Sequence, residues 1–124
     1  MLNLPPSVRI FVSRQPTDMR KGFDSLAELV RCHLGGDPLS GHLFVFRSKR
    51  GDRLKVLYWD SDGLCLFYKR LEVGRFTLPT LGSPVGEHGL EIRASDFALL
   101  LDGIDLKNVH RHKRYQRPAP IPAE

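Results

Sequence analysis

Four aspartates of this 124-residue sequence come closest to a catalytic metal set: Asp60, Asp62, Asp102 and Asp105. Clustered carboxylates hold the two divalent ions of many nucleases. However, Asp60 and Asp62 belong to an Asp-Ser-Asp-Gly sequence, in which an aspartate side chain usually hydrogen bonds to its own backbone in a turn. Asp102 lies beside Gly103 at the end of a short predicted helix. We therefore interpret these acids as structural and predict that the protein is not an enzyme.

Other types of reactive site are equally weak. The Asp-Ser-Asp-Gly sequence begins like a calcium loop, but the later ligands and the closing glutamate do not follow at the required spacing. His110 and His112 could bind a metal ion, but no fixed third ligand accompanies them. Cys32 and Cys65 are far apart, which predicts reduced, mostly buried thiols and neither a disulfide framework nor a zinc site. We predict no metal and no cofactor.

Residues 55–70, KVLYWDSDGLCLFYKR, place aromatic side chains among basic ones. Nucleic-acid bases stack on flat side chains, and Lys and Arg neutralise phosphates. A type I turn with Gly63 in the left-handed conformation would place Asp60 opposite Leu64. Strand alternation then puts four of these side chains on one mixed face: Lys55, Trp59, Phe67 and Lys69. That face either binds nucleic acid or is covered by the C-terminal helix or a partner subunit.

The predicted nucleic-acid-binding residues are basic or aromatic and lie in the hairpins and the tail: Lys49, Arg50, Lys55, Trp59, Phe67, Lys69, Arg70, Arg111, Lys113 and Arg114. If the mixed face proves to be core, the next surfaces to consider are Arg20 and Lys21, and the hairpin tip at Lys49 and Arg50.

Basic residues are concentrated in two regions of the chain. The net charge is +5, and residues 106–124 hold five basic residues against one acid, Glu124. Residues 47–76 hold eight basic residues and four acids. This distribution favours a polyanionic partner, nucleic acid before an anionic membrane. No apolar run approaches the roughly 20 residues that span a bilayer, and the N-terminus lacks a signal-peptide core, so we expect a cytoplasmic protein without a membrane partner.

The spacing of apolar residues predicts the following elements. A short strand at 8–13 precedes an amphipathic helix at about 18–34, with Thr17 as its N-cap and Gly35 after its end. Three further strands are predicted at 42–47, 53–60 and 64–70, and the apolar side of the last two is expected to pack under the helix. A loop at 77–90, a strand at 91–93 and a helix capped by Ser95 and ended by Gly103 complete the list.

The predicted fold class is α+β, with a small antiparallel sheet packed against one main amphipathic helix and with a short C-terminal helix. Residues 1–106 should form a single domain. Residues 107–124 should form a basic, proline-rich flexible tail that contacts phosphates without reading sequence.

Three long segments also carry a resemblance: TDMRKGFDSLAELV (17–30), DPLSGHLFVFRSKRGDRLKVLYWDSDGLCLFYKRLEVGRF (37–76) and LLLDGID (99–105). They resemble the TnpB accessory proteins of the IS66 group of three-gene bacterial insertion sequences, which are unrelated to the RNA-guided nuclease of the same name. The resemblance covers most of residues 9–105. It implies a small protein that is encoded beside the transposase and a second accessory protein and is needed for movement of the element. It supplies no catalytic residues.

Together, these observations predict a non-enzymatic accessory factor for transposition that binds DNA, either the element ends or duplex of any sequence. The alternative is a protein–protein adaptor that stabilises the transposase complex without contacting DNA. The transposase and the second accessory protein are the expected protein partners, and a homo-oligomer remains open.

Overall fold

Two helices and eight strands form an α+β fold in the computed structural model, which describes residues 4–78, 82–105 and 110–111. In chain order they are β1 (Ile10–Ser13), α1 (Phe23–His33), β2 (Leu43–Arg47), β3 (Arg53–Asp60), β4 (Gly63–Arg70), β5 (Ser83–Val85), β6 (Gly89–Ile92), α2 (Ala94–Leu101), β7 (Ile104–Asp105) and β8 (His110–Arg111). The predicted α+β class is confirmed, and the three predicted runs that become β2, β3 and β4 are strands.

The main sheet is larger than the predicted one, and it is mixed. Its strand order is β4-β3-β2-β1-β6-β5, and β1 pairs with β2 in parallel whereas the other neighbours are antiparallel. Parallel neighbours need a crossover connection, and α1 supplies it between β1 and β2. The predicted loop at 77–90 contains β5 and the start of β6. The expectation of a small antiparallel sheet is therefore wrong, because β1 joins β2 to a second hairpin.

The sheet separates two apolar layers, each covered by one helix. Under α1, one buried cluster contains Leu26, Ala27, Val30, Phe44, Phe46 and Leu57. Under α2, the other buried cluster includes Ile10, Val12, Val45, Val56, Phe97 and Leu100. Burial of such a side chain is worth about 1.5–3 kcal/mol, so the two layers hold the helices to the sheet. Because both of its faces are buried, β2 has a continuous apolar sequence and lacks alternation.

Helix α1 begins at Phe23, later than the predicted start near residue 18. The intervening residues form a turn, in which the N–H of Lys21 donates to the carbonyl of Asp18 over 3.1 Å. The carboxylate of Asp18 accepts from the backbone N–H of Arg20 over 2.9 Å. It also accepts from the Arg20 guanidinium, and these hydrogen bonds lower the pKa of Asp18 to about 2. Gly22 is the N-cap of the helix.

Thr17 is therefore not the N-cap of α1. It is buried, and its N–H donates to the carbonyl of Arg47 over 2.9 Å, which ties the chain before α1 to the end of β2. The other end of the helix agrees with the prediction. Gly35 follows the C-cap residue Leu34 with a φ of 63°, a left-handed conformation that glycine adopts without a steric cost.

The β3–β4 hairpin differs from its prediction by one residue in register. Asp60 pairs with Gly63 across a two-residue loop, and Lys55 therefore lies opposite Tyr68. Ser61 has a φ of 52°, as the first residue of a primed two-residue hairpin loop requires, whereas Gly63 belongs to the strand. A slip of one residue moves every side chain of β4 to the other face of the sheet. The predicted mixed face is therefore wrong.

The C-terminal elements agree with the prediction in type but not in all boundaries. Ser95 lies inside α2, whose N-cap is Arg93, and Gly103 follows the helix with a φ of 71°. Of the predicted tail, only the backbone of β8 is described, and it pairs with β7. Residues 106–109 and 112–124 lie outside the described residues. No helix among the described residues is long and apolar enough to cross a membrane.

Candidate nucleic-acid interface

Lys55 is a buried residue whose ammonium group forms hydrogen bonds within the protein. Its side chain lies under the start of α1, and the residue is 6% exposed. The ammonium group donates to the carbonyls of Met19 and Lys21, each over 2.7 Å, and lies 4.7 Å from the ring centroid of Tyr68. These carbonyls precede the helix and have no partner in a regular element. The ammonium group of Lys55 therefore binds the chain before α1 and does not face solvent.

The other members of the predicted mixed face lie on different surfaces. Lys69 donates from Nζ to the carbonyl of Leu101 over 2.7 Å, where the C-terminal end of α2 favours a cation. Phe67 packs beside the apolar cluster under α2. Trp59 lies opposite Leu64 on the α1 side and is half-buried. Register and burial therefore separate the four residues, and nucleic-acid binding by each of them stays a prediction.

A different set of cations meets at the end of the sheet formed by the β2–β3 loop and the end of β4. We call it the basic end: Lys49, Arg50, Arg53, Arg70 and Arg75. Two backbone hydrogen bonds of 2.7 Å close this end, from Leu71 N–H to the carbonyl of Asp52 and from Phe76 N–H to the carbonyl of Gly51. They bring residues 71–76 back to the β2–β3 loop.

The side chain of Arg75 lies against Gly51 of this loop. Gly51 has a φ of 80°, and a methyl group added to its Cα would lie 3.5 Å from Cβ of Arg75 and 3.6 Å from its Cδ. The stem of Arg75 consequently packs over Gly51, beside the exposed residues Lys49 and Arg50. Within the part of the chain that the structure describes, the side chains of Lys49, Arg50 and Arg75 have no hydrogen-bond or ion-pair partner.

Arg53 and Arg70 are the remaining cations of the basic end, and they face each other across β3 and β4. Like charges in this position repel, so each needs a partner. Arg70 forms an ion pair with Glu72 over 2.7 Å, and Arg53 donates from Nη1 to the hydroxyl of Tyr68 over 3.3 Å. Hydrogen bonding to Glu72 raises the pKa of Arg70.

The acids of the hairpin lie at its other end. Asp60 closes β3 and Asp62 lies in the loop before β4, and both are exposed. Arg53 begins the same strand seven residues earlier, about 23 Å away at 3.3 Å per residue. The β3–β4 hairpin is therefore electrically polarised, with an excess of cations at one end and two carboxylates at the other.

The structure gives the remaining candidate residues no common site. Among the described residues, no group of three or more His, Cys, Asp or Glu side chains could hold a metal ion. Arg111 contributes its backbone to β8, opposite Ile104. The side chain of Arg111, and all of Lys113 and Arg114, lie outside the described residues. The tail's predicted phosphate contacts therefore stay a prediction.

Arg53 and Arg75 are the members of the basic end that the sequence prediction did not include. Both lie in the basic region at 47–76, so the excess of basic residues in that region could have indicated them. Arg75 follows β4 in an irregular segment, however, and its position depends on the hydrogen bonds to Gly51 and Asp52. No periodicity in the sequence predicts that residues 71–76 fold back onto the β2–β3 loop.

The family model described as IS66 Orf2 like protein matches residues 8–111. The chain belongs to this IS66 Orf2-like family. The family resemblance stated from the sequence is thereby confirmed, and the chain is an accessory protein associated with transposition. The basic end, at residues 49–75, lies wholly within the part of the chain that the family model matches.

Two curated relatives come from Sinorhizobium fredii (strain NBRC 101917 / NGR234). The chain is 40% identical to its "Uncharacterized protein y4jC" over 121 residues, which cover 98% of this chain and 99% of the relative. It is 43% identical to "Uncharacterized protein y4hO" over 109 residues, which cover 87% of this chain and 90% of the relative. No solved structure matches the chain. The relatives therefore agree with this chain in length, and their names state no activity.

Proposed function

We propose that this IS66 Orf2-like protein is a non-enzymatic accessory factor that binds DNA during transposition. The observation that carries the proposal is the set of three exposed cations, Lys49, Arg50 and Arg75, at one end of the sheet without an acidic partner among the described residues. Lys and Arg side chains bind DNA by neutralising its phosphates and releasing condensed counterions. An accessory factor for DNA transposition would act in the cytoplasm, where the element and its transposase meet.

The basic end suits phosphate contact better than base recognition. Its loop is fixed at several points, because the N–H of Gly51 donates to the carbonyl of Ser48 and Asp52 accepts from Leu71. Lys49 and Arg50 are thus presented on a constrained turn, which limits the entropy lost when they engage phosphates. Phosphate contacts fix position on the duplex but carry no sequence information themselves. Binding should therefore depend strongly on salt and only weakly on sequence.

A protein–protein adaptor is the second candidate function. A cleft of about 290 Å³ lies beside the C-terminal half of α1 and the end of β1, lined by polar and apolar residues that include Thr17, Leu29, His33, Phe46 and His88. The rings of His33 and His88 meet edge to face, with centroids 5.2 Å apart. Nδ1 of His88 is buried and lacks a hydrogen-bond partner among the described residues. An adaptor would dock a peptide segment of the transposase in this cleft, against the accessible parts of its lining.

The two functions are separated by titrating the full-length protein with duplex DNA at several salt concentrations. Duplex from the ends of the element is compared with duplex of random sequence, and magnesium and manganese are included in parallel. We expect salt-dependent binding to both duplexes and no cleavage with either metal. Absence of DNA binding at low salt, together with capture of the purified transposase, would instead establish the adaptor. Metal-dependent cleavage that is lost on Asp60→Asn or Asp62→Asn substitution would show that the protein is an enzyme.

A further inference from the structure

Strand β4 is an edge strand whose outer side has no partner among the described residues. It contains eight residues and no proline. The opposite edge of the sheet is β5, which has three residues, including Pro84, and is thus short and poorly suited to further pairing. Proteins usually shorten, charge or cover an edge strand, because its free N–H and C=O groups recruit other strands. The middle of β4 has none of these features.

The hairpin geometry shows which backbone groups of β4 are free. A two-residue loop makes Asp60 and Gly63 a hydrogen-bonded pair, and alternate residues then point their N–H and C=O groups away from β3. The outward groups belong to Leu64, Leu66 and Tyr68. The side chains of the same three residues lie on the α1 side of the sheet, whereas those of Cys65 and Phe67 lie on the α2 side. Leu64, Leu66, Cys65 and Phe67 are half-buried, and Tyr68 is 46% exposed. The edge is therefore apolar on both faces.

We propose that β4 pairs in antiparallel fashion with β4 of a second copy of this chain, centred on Leu66. A two-fold axis perpendicular to the sheet requires residues on the same face to lie opposite each other. With Leu66 opposite its counterpart, Leu64 lies opposite Tyr68 and Cys65 opposite Phe67. Each apolar side chain on either face then gains an apolar neighbour, and the two sheets become one continuous sheet.

Charge complementarity selects the second copy and this register. The same pairing sets Asp62 of each copy opposite Arg70 of the other, so the acidic end of each hairpin meets a basic end. Arg70 uses Nε and Nη2 on Glu72 of its own chain, and the guanidinium has further donors for a second carboxylate. A shift of two residues in one direction would place Arg70 opposite Leu64, and a shift in the other direction would place Asp62 opposite Tyr68. Parallel pairing would bring like charges together.

The proposal does not depend on DNA binding, and it is tested by the oligomeric state of the full-length protein. Sedimentation against concentration should show a monomer–dimer equilibrium. Asp62→Lys and Arg70→Glu should each raise the dissociation constant of the dimer roughly tenfold, because two symmetry-related pairs become repulsive. The double variant Asp62→Lys/Arg70→Glu should restore the dissociation constant of the wild-type dimer, because the two charges are exchanged and attract each other again. Glu87→Lys and Arg14→Glu make the same charge changes at exposed positions away from β4 and should leave the dimer unchanged.

Amide hydrogen exchange gives a second readout that does not require a variant. The amides of Leu64, Leu66 and Tyr68 should become more protected as protein concentration rises, while the amide of Val85 in β5 should not change. A protein that stays monomeric at its solubility limit would overturn the proposal. So would a dimer that the single charge reversals leave intact or that the double variant fails to restore. Protection of these amides at every concentration would mean that another part of the same chain covers the edge.

Discussion

The ammonium group of Lys55 donates to the carbonyls of Met19 and Lys21, whereas that of Lys49 has no partner among the described residues. The sequence presents both lysines in the same way, as cations in a basic and aromatic segment. Their environments differ because Lys55 lies on the side of β3 that α1 covers, and Lys49 lies in the exposed loop before that strand. The two residues therefore provide a matched pair for separating stability from binding.

We expect Lys55→Met to lower the free energy of unfolding by about 2–4 kcal/mol, because two carbonyls lose a charged donor in a buried position. The DNA affinity of the folded variant should not change. Lys49→Met should have the opposite profile, with unfolding altered by less than about 0.5 kcal/mol and DNA binding weakened. Urea unfolding and DNA titration of both variants measure this. If Lys55→Met left stability intact and reduced DNA affinity, the internal role assigned to Lys55 would be wrong.

At the scale of elements, the β3–β4 hairpin shows what sequence patterns can and cannot specify. The strand limits 53–60 and 64–70 agree with β3 and β4 to within one residue, because β-branched and aromatic runs mark them clearly. The register does not follow from the same pattern. Both faces of this sheet are covered by a helix, so apolar residues occur on both sides of β4 and alternation gives no preference. The loop alone decides the register.

The loop conformation yields a test of the register. Ser61→Gly should raise the free energy of unfolding by up to about 1 kcal/mol, because Ser61 has a positive φ that glycine adopts more easily. Gly63→Ala should be tolerated, since Gly63 lies in a strand and an added methyl group would meet nothing within 4 Å. The urea unfolding midpoints of the two variants, compared with that of the wild-type protein, test the register. The slipped register, with Gly63 as the left-handed residue, would require the reverse result.

The start of α1 illustrates a second limit of local patterns. Thr17 and Asp18 are residues that favour a helix N-cap, and the apolar spacing from Met19 onwards is helical. Other hydrogen bonds override this preference. The N–H of Thr17 donates to the carbonyl of Arg47 in β2, and the carboxylate of Asp18 accepts from the N–H of Arg20 in a turn. The helix itself, its buried face and its end at Gly35 were all predictable from residue types and spacing.

At the scale of the whole molecule, the charge distribution was predictable and its spatial arrangement was not. The sequence shows that residues 47–76 carry an excess of basic residues. Only the fold separates the internal cations, Lys55 and Lys69, from the cations of the basic end. It also moves Asp60 and Asp62 to the far end of the hairpin. Positive charge at the basic end is therefore more concentrated than the linear sequence suggests.

Contact between the basic end and DNA phosphates can be measured through the salt dependence of binding. The salt dependence of DNA affinity is compared between a triple variant, Lys49→Ala/Arg50→Ala/Arg75→Ala, and a control of equal net charge, Arg14→Ala/Arg31→Ala/Arg93→Ala. We expect the first variant to reduce the slope of log affinity against log salt by about two to three, since each phosphate contact contributes roughly 0.9. The control should keep the slope of the wild-type protein. Equal slopes for the two variants would contradict phosphate contact at the basic end.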